Sequence, residues 1–260
     1  MHALPLRTCL AGTLALALGP SLLAQDDFGA SKEFLPHLQI WSDVGIGKLD
    51  HNTSGTNLDG DDTATMLEIG VEGFSDSGFG GGVRFGLLAS EEGMFDDAGV
   101  DNVMATAVDV YLHVTQRWAH DRFALPLRFG LLVNSYQLEQ DTSTLEDTVQ
   151  FDSFCFRTEF EPEFLLSDWD GVALTAGSRL SLGSGWTECS TEPSTFEADS
   201  ATLFYGIDLG FRLRAGMGSF HLGWVLRGQS MDESEVSGGI FYRGYDATFT
   251  GLLIGGGIFF

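Results

Sequence analysis

Thr248-Phe249-Thr250-Gly251-Leu252-Leu253-Ile254-Gly255-Gly256-Gly257-Ile258-Phe259-Phe260 closes the chain. Leu252, Ile254, Ile258 and Phe260 fall on one side at a period of two, the spacing of a β-strand. Moving back from this stretch, segments of similar alternation recur at 36–48, 64–74, 79–89, 103–115, 123–136, 151–163, 172–183, 201–213 and 219–229. With 247–260 they make ten expected strands, eight or twelve being the alternative counts. The connections alternate too. Ser75–Gly78, Gln116–Arg122, Phe164–Gly171 and Arg214–Gly218 are compact, whereas the others are longer and mostly acidic.

Each segment is at or above the roughly 9–11 residues that a tilted strand needs to cross hydrocarbon. One face is apolar: Val108, Val110, Leu112 and Val114; Leu125, Leu127, Phe129, Leu131 and Val133; Leu203, Tyr205, Ile207, Leu209, Phe211 and Leu213. The other face carries small residues around one or two charges, such as Gly80, Gly82, Arg84 and Gly86, or Thr175, Gly177, Arg179 and Ser181. A soluble sandwich or lipocalin-like barrel also alternates, but its water-facing side is usually rich in Lys and Glu. This chain has only Lys32 and Lys48. The expected fold is therefore all-β, an antiparallel up-and-down transmembrane β-barrel. It must be closed, because lipid cannot satisfy a free strand edge. Both ends are expected in the periplasm, with the compact turns there and the longer loops outside. Trp118 and Trp169 would lie in periplasmic turns and Trp186 in an extracellular loop.

The first residues read as an export signal: Arg7 precedes an apolar run from Leu10 to Leu23, and Ala24 offers a small residue for cleavage. The expected organisation is a cleaved signal peptide over 1–24, taking Cys9 with it, and one barrel domain over 25–260. Thirteen Lys and Arg stand against 37 Asp and Glu, a net charge of −24. Nucleic acid, which demands a positive footprint, is excluded as a partner. The acids gather in Asp59–Asp62, Glu91–Asp101, Glu139–Asp152, Glu188–Asp199 and Asp232–Glu235, all placed in the longer loops.

The chain resembles the bacterial outer-membrane β-barrel proteins, in which a terminal Phe with apolar residues at alternate preceding positions is an assembly signal. Phe260, Ile258, Ile254 and Leu252 match, and Gly256 departs from the bulky pattern. The resemblance is one of architecture. It implies residence in the outer membrane of a diderm bacterium, recognition by the barrel assembly machinery, and contact with outer-membrane lipid and lipopolysaccharide.

Eight charged residues form the most specific internal pattern. Glu68 and Arg84, Asp109 and Arg128, Glu159 and Arg179, and Asp208 and Arg227 flank the four compact turns at similar offsets. All eight are expected in the lumen as cross-strand ion pairs, with Glu72, Arg157, Arg212, His113 and His221 extending the network. Arg suits the task because its planar fork can grip a carboxylate twice. A ten-stranded interior is close to what side chains can fill, so any conduit should be narrow.

Other signals are weaker. Asp59, Asp61 and Asp62 surround Gly60 and could hold a divalent cation, but the spacing fails the EF-hand pattern. Cys155 and Cys189 could form a disulfide in an oxidising compartment. No cofactor motif is present. Asp109 and His113 share a face but lie about 13 Å apart along a strand, too far for a catalytic dyad. His221 is expected to face Arg212, while His37, His51 and His120 are scattered. An enzyme, a lipid-modifying barrel or a protease, is the weakest functional class. A porin-like, low-conductance conduit for small solutes or ions leads; a closed structural or surface-interaction barrel acting through acidic loops is the alternative. The oligomeric state leaves no trace in the sequence.

Overall fold

A computed structural model describes residues 38–54, 59–75, 77–91, 100–118, 122–142, 145–169, 171–192, 197–234 and 242–260. The signal peptide expected over 1–24 lies outside them, as do parts of the longer loops. Eleven strand segments follow in order: β1 (Leu38–Thr53), β2 (Asp59–Phe74), β3 (Phe79–Ser90), β4 (Val100–Trp118), β5 (Phe123–Thr142), β6 (Leu145–Phe160), β7 (Glu163–Trp169), β8 (Val172–Glu192), β9 (Glu197–Ala215), β10 (Gly218–Met231) and β11 (Tyr245–Phe259).

Sequential neighbours pair antiparallel except β6 and β7, and β1 pairs β11 from Gln39↔Phe259 to Thr53↔Tyr245, which closes the ring. The eleventh segment adds no stave. β6 and β7 both run between β5 and β8, and the register set by Leu127↔Phe160 continues at Phe123↔Phe164. Pro162 lacks an amide hydrogen and interrupts the ladder, yet its carbonyl still accepts a bond from the Ser178 amide at 3.1 Å. The barrel thus has ten staves. Gly78, Gly171 and Gly216 adopt positive φ at three of the compact turns, a conformation that a side chain would strain.

The strands run beyond the expected limits. β5 and β8 reach 20 and 21 residues, twice what the hydrocarbon needs. Two polarity patterns share each long strand. In the lower part, apolar side chains face out and charges face in: on β1, Ile40, Val44 and Ile46 are exposed while Trp41 and Asp43 are buried. Higher on the same strand Lys48 and Asn52 face out and Leu49 and His51 are buried. β8 changes likewise, from exposed Leu180, Leu182 and Trp186 to exposed Glu188 above buried Cys189.

The expectation that Glu139–Asp152 and Glu188–Asp199 are loops is corrected by this inversion. Only 143–144 and 193–196 separate the strands there, and outward Asp152 and Glu188 belong to the wall. Above the lipid an outward strand residue meets water, so acids are compatible with sheet. Trp186 is likewise in β8 rather than a loop, packed on Phe154 with ring centroids 4.8 Å apart. Trp169 ends β7, outward and exposed.

Candidate functional site

The lower lumen is filled by charge. Glu159, 1% exposed, lies 2.9 Å from Arg84, 2.9 Å from Arg128, 3.1 Å from Arg157 and 3.7 Å from Arg179. Asp109 joins Arg84 at 2.9 Å and Arg157 at 3.1 Å. Glu68 takes Arg179 at 3.3 Å and Arg227 at 3.5 Å, and Asp208 holds both of the same arginines. Towards the compact turns, Arg128 reaches Glu72 and Glu161, Arg212 reaches Glu161 at 3.3 Å, and Arg214 reaches Glu163 at 3.1 Å.

Burying a charge costs several kcal/mol unless opposite charges and hydrogen bonds surround it. Here carboxylates and guanidiniums share partners, so no charge depends on one bond. Aromatic faces add to this: the Trp41 ring lies 5.4 Å from the Arg179 guanidinium, and the Tyr111 ring 5.5 Å from that of Arg84. The Tyr111 hydroxyl donates to Glu72.

All eight charges of the sequence pattern point inward, but they are partnered differently. Glu159 with Arg179 and Asp208 with Arg227 meet as expected. Glu68 meets Arg179 and Arg227 in place of Arg84, and Asp109 meets Arg84 and Arg157 in place of Arg128. Register explains the change for Asp109, which lies opposite Leu132 while Arg128 lies opposite His113, four positions away. For Glu68 it does not, because Asp208 and Arg227 share its diagonal offset and do meet. Glu68 lies opposite Gly86, and Arg84 opposite Gly70, so those two are diagonal neighbours. Across the long-loop hairpins, by contrast, Arg84↔Asp109, Arg128↔Glu159 and Arg179↔Asp208 are directly opposed.

Glu161 and Glu163 were absent from the sequence pattern. Their signal was available, since both continue the inward parity of Glu159 through Pro162. Asp43 was missed as well; its Oδ1 lies 3.6 Å from Nδ1 of His221, passing over Gly255. His221 does lie opposite Arg212 in register. His113 packs against Phe74, centroids 4.4 Å apart and the rings tilted by 38°.

A roof closes the upper lumen. His51, Tyr136 and Tyr245 stack, with Tyr136 and Tyr245 centroids 5.2 Å apart, and the Tyr136 hydroxyl and His51 Nδ1 share a 2.8 Å hydrogen bond. Leu49, Val225, Phe249 and Leu253 pack below at 1% exposure or less.

This interior is enclosed by a continuous wall whose lower outer face is apolar, with Val110, Leu182, Leu209, Phe211 and Leu252 all about half exposed. A closed ring with that exterior fits only a lipid surround. The protein is a membrane-spanning β-barrel. Phe260, Ile258, Ile254 and Leu252 of the expected assembly signal lie on the barrel's lipid-facing side.

No family model and no curated protein matches this barrel. Among solved structures, the outer membrane protease OmpT from Escherichia coli is similar at 10% identity and a TM-score of 0.48, over 88% of this chain and 100% of its own. The translocator domain of autotransporter NalP from Neisseria meningitidis matches at 9% identity and 0.43, over 98% and 97%. The beta domain of the Bordetella autotransporter BrkA matches at 13% and 0.41, over 85% and 98%. At such identities and scores the likeness carries no argument about activity.

The remaining site expectations resolve as follows. Cys155 and Cys189 are both free and buried, so the expected disulfide is not made. Cys155 lies opposite Gly185 and Cys189 opposite Phe151, four positions along the same strand pair. That offset is about 13 Å, well past the reach of a disulfide. Cys189 instead points its thiol at the Met231 sulfur, 3.5 Å away. Asp61 pairs with Lys48 at 2.6 Å, and Asp62 accepts a bond from the Thr63 amide. The Asp59 side chain lies outside the described residues. Among the described residues no three His, Cys, Asp or Glu gather as metal ligands.

Proposed function

We propose that the barrel is closed at rest and acts through its extracellular end, a strand-built collar with an acidic outer face. One observation carries this reading: Arg84, Asp109, Arg128, Glu159, Arg179 and Asp208 occupy the waist, each under one-tenth exposed and bonded to one another. A hydrated ion would have to displace several of these contacts at once. The collar is rigid because it has an apolar core of its own, and outward Asp61, Asp152, Glu188 and Asp246 give it a negative face. That face suits basic or cation-bridged partners on the cell surface. A non-enzymatic role is supported by the waist carboxylates Glu68, Asp109, Glu159 and Asp208, each paired with two or more guanidiniums.

A low-conductance conduit is the second reading. It is favoured by voids on both sides of the waist, a larger one above and a smaller one below, beside Asp43 and His221. Single-channel recording of the refolded protein in planar bilayers separates the two. The closed reading expects a silent wild type with assembly verified, and current only when Glu68→Ala and Asp109→Ala open the waist. Steady wild-type current whose selectivity changes with those substitutions would instead establish the conduit.

A further inference from the structure

Between the charged waist and the aromatic roof the lumen contains a chamber of about 140 Å³. Its walls are mainly apolar, with Leu49, Met66, Leu132 and Phe249 among them. It exists because Gly86, Ala105 and Ala107 are short where adjacent lumen positions carry large side chains. Interiors normally fill such space to crystal-like density, and Val225 and Leu253, in one apolar cluster with Leu49, Met66 and Phe249, have no exposed surface. An apolar cavity of about 150 Å³ stays dry and accepts benzene, so the volume suits a single six-membered ring.

The chamber is not uniformly apolar. Asn134 and Gln229 line one side, and Glu68, Arg157 and Arg227 lie at the floor. Asn134 donates to the Gln229 side-chain oxygen at 3.1 Å, and Gln229 donates to Ser153. These bonds leave the Asn134 side-chain oxygen as an unused acceptor. The floor charges are already matched, with Arg227 held by Glu68 and Asp208 and Arg157 by Asp109 and Glu159. An ionised guest would bring an uncompensated charge into this enclosure, at high cost. A neutral guest with one hydrogen-bond donor would not.

We infer that this chamber is a binding site for a neutral, single-ring molecule bearing one hydroxyl or amine substituent, its ring against Met66, Leu132 and Phe249. The inference does not depend on whether the waist conducts.

The test uses 4-fluorophenol and fluorine NMR on the refolded protein in detergent micelles. Partition into micelles is linear in concentration, whereas chamber binding saturates. Wild type should show a saturable component, weakened by about tenfold or more when Ala105→Leu fills the space. Leu132→Ala, which enlarges the chamber, should admit a two-ring phenol that wild type rejects; it keeps the inference testable if Ala105→Leu does not assemble. The anion 4-fluorobenzoate should show no saturable component. Absence of saturable fluorophenol binding to wild type would overturn the inference. Equal binding by wild type and both variants would also overturn it, by locating the site elsewhere, and tighter binding of the benzoate would refute the neutral guest.

Discussion

Glu159 and Arg84, 75 residues apart in the chain, meet across the lumen at 2.9 Å. β4 and β5 lie between their strands in the ring, so the contact bridges the interior instead of running along the wall. It makes Glu159 a hub shared by four arginines, and several expectations descend from that geometry.

Glu159→Gln should be the most damaging single change in the waist. It leaves Arg84, Arg128, Arg157 and Arg179 short of a carboxylate in an enclosed site, with an expected cost of about 3–5 kcal/mol. Glu163→Gln removes partners nearer the end of the barrel, where Arg214 is partly exposed, and should cost far less. Urea unfolding of both variants in lipid vesicles measures the difference.

Substitution by arginine should separate the two polarity zones of the outer wall. Leu209→Arg or Val110→Arg puts a charge among lipid-facing residues and should cost about 2–4 kcal/mol near the midplane. Asn52→Arg, outward on the collar, should be neutral. Folding yield into vesicles, read by heat-modified gel mobility, gives the comparison; equal yields for all three would refute the assigned membrane zone.

Gly70 supports the waist by having no side chain. A Cβ there would overlap the Trp41 ring, which packs against the β2 backbone while lying near Arg84 and Arg179. Gly70→Val should therefore displace Trp41 and cost about 1–3 kcal/mol through overpacking. Tryptophan emission measured beside the same change in a Trp41→Phe background would isolate the ring's movement.

Cys155 and Cys189 should behave as two protected thiols. Both have no exposed surface. A maleimide should fail to label either in the folded barrel and should label both after denaturation. Reducing agent should leave the unfolding midpoint unchanged, whereas a midpoint lowered by reduction would point to a bond between them.

How much could be read beforehand depended on the range of the interaction. Side-chain parity is local: Val108, Val110 and Leu112 must face opposite to Asp109, Tyr111 and His113 in any strand. Alternation along the chain was thus enough for the closed all-β barrel, its lipid-facing belt and the inward direction of all eight paired charges. The acidic stretches misled because the rule of apolar outside and polar inside was carried up past the lipid. Above it the solvent changes and the same strand inverts, as Lys48 and Leu49 do relative to Val44 and Asp43.

What alternation cannot contain is register and curvature. Whether Glu68 meets Arg84 or Arg179 depends on which side chains the closed ring brings face to face across the lumen. The four-position gap between the cysteines, the passage of β6 into β7 across Pro162 and the chamber beside Ala105 have the same origin. Each is a distance between residues remote in the chain, set only when ten staves close on one another and their side chains compete for a single interior. The sequence alone thus determined which way side chains face, because that follows from the pleat of each strand; the tertiary structure decided what they face.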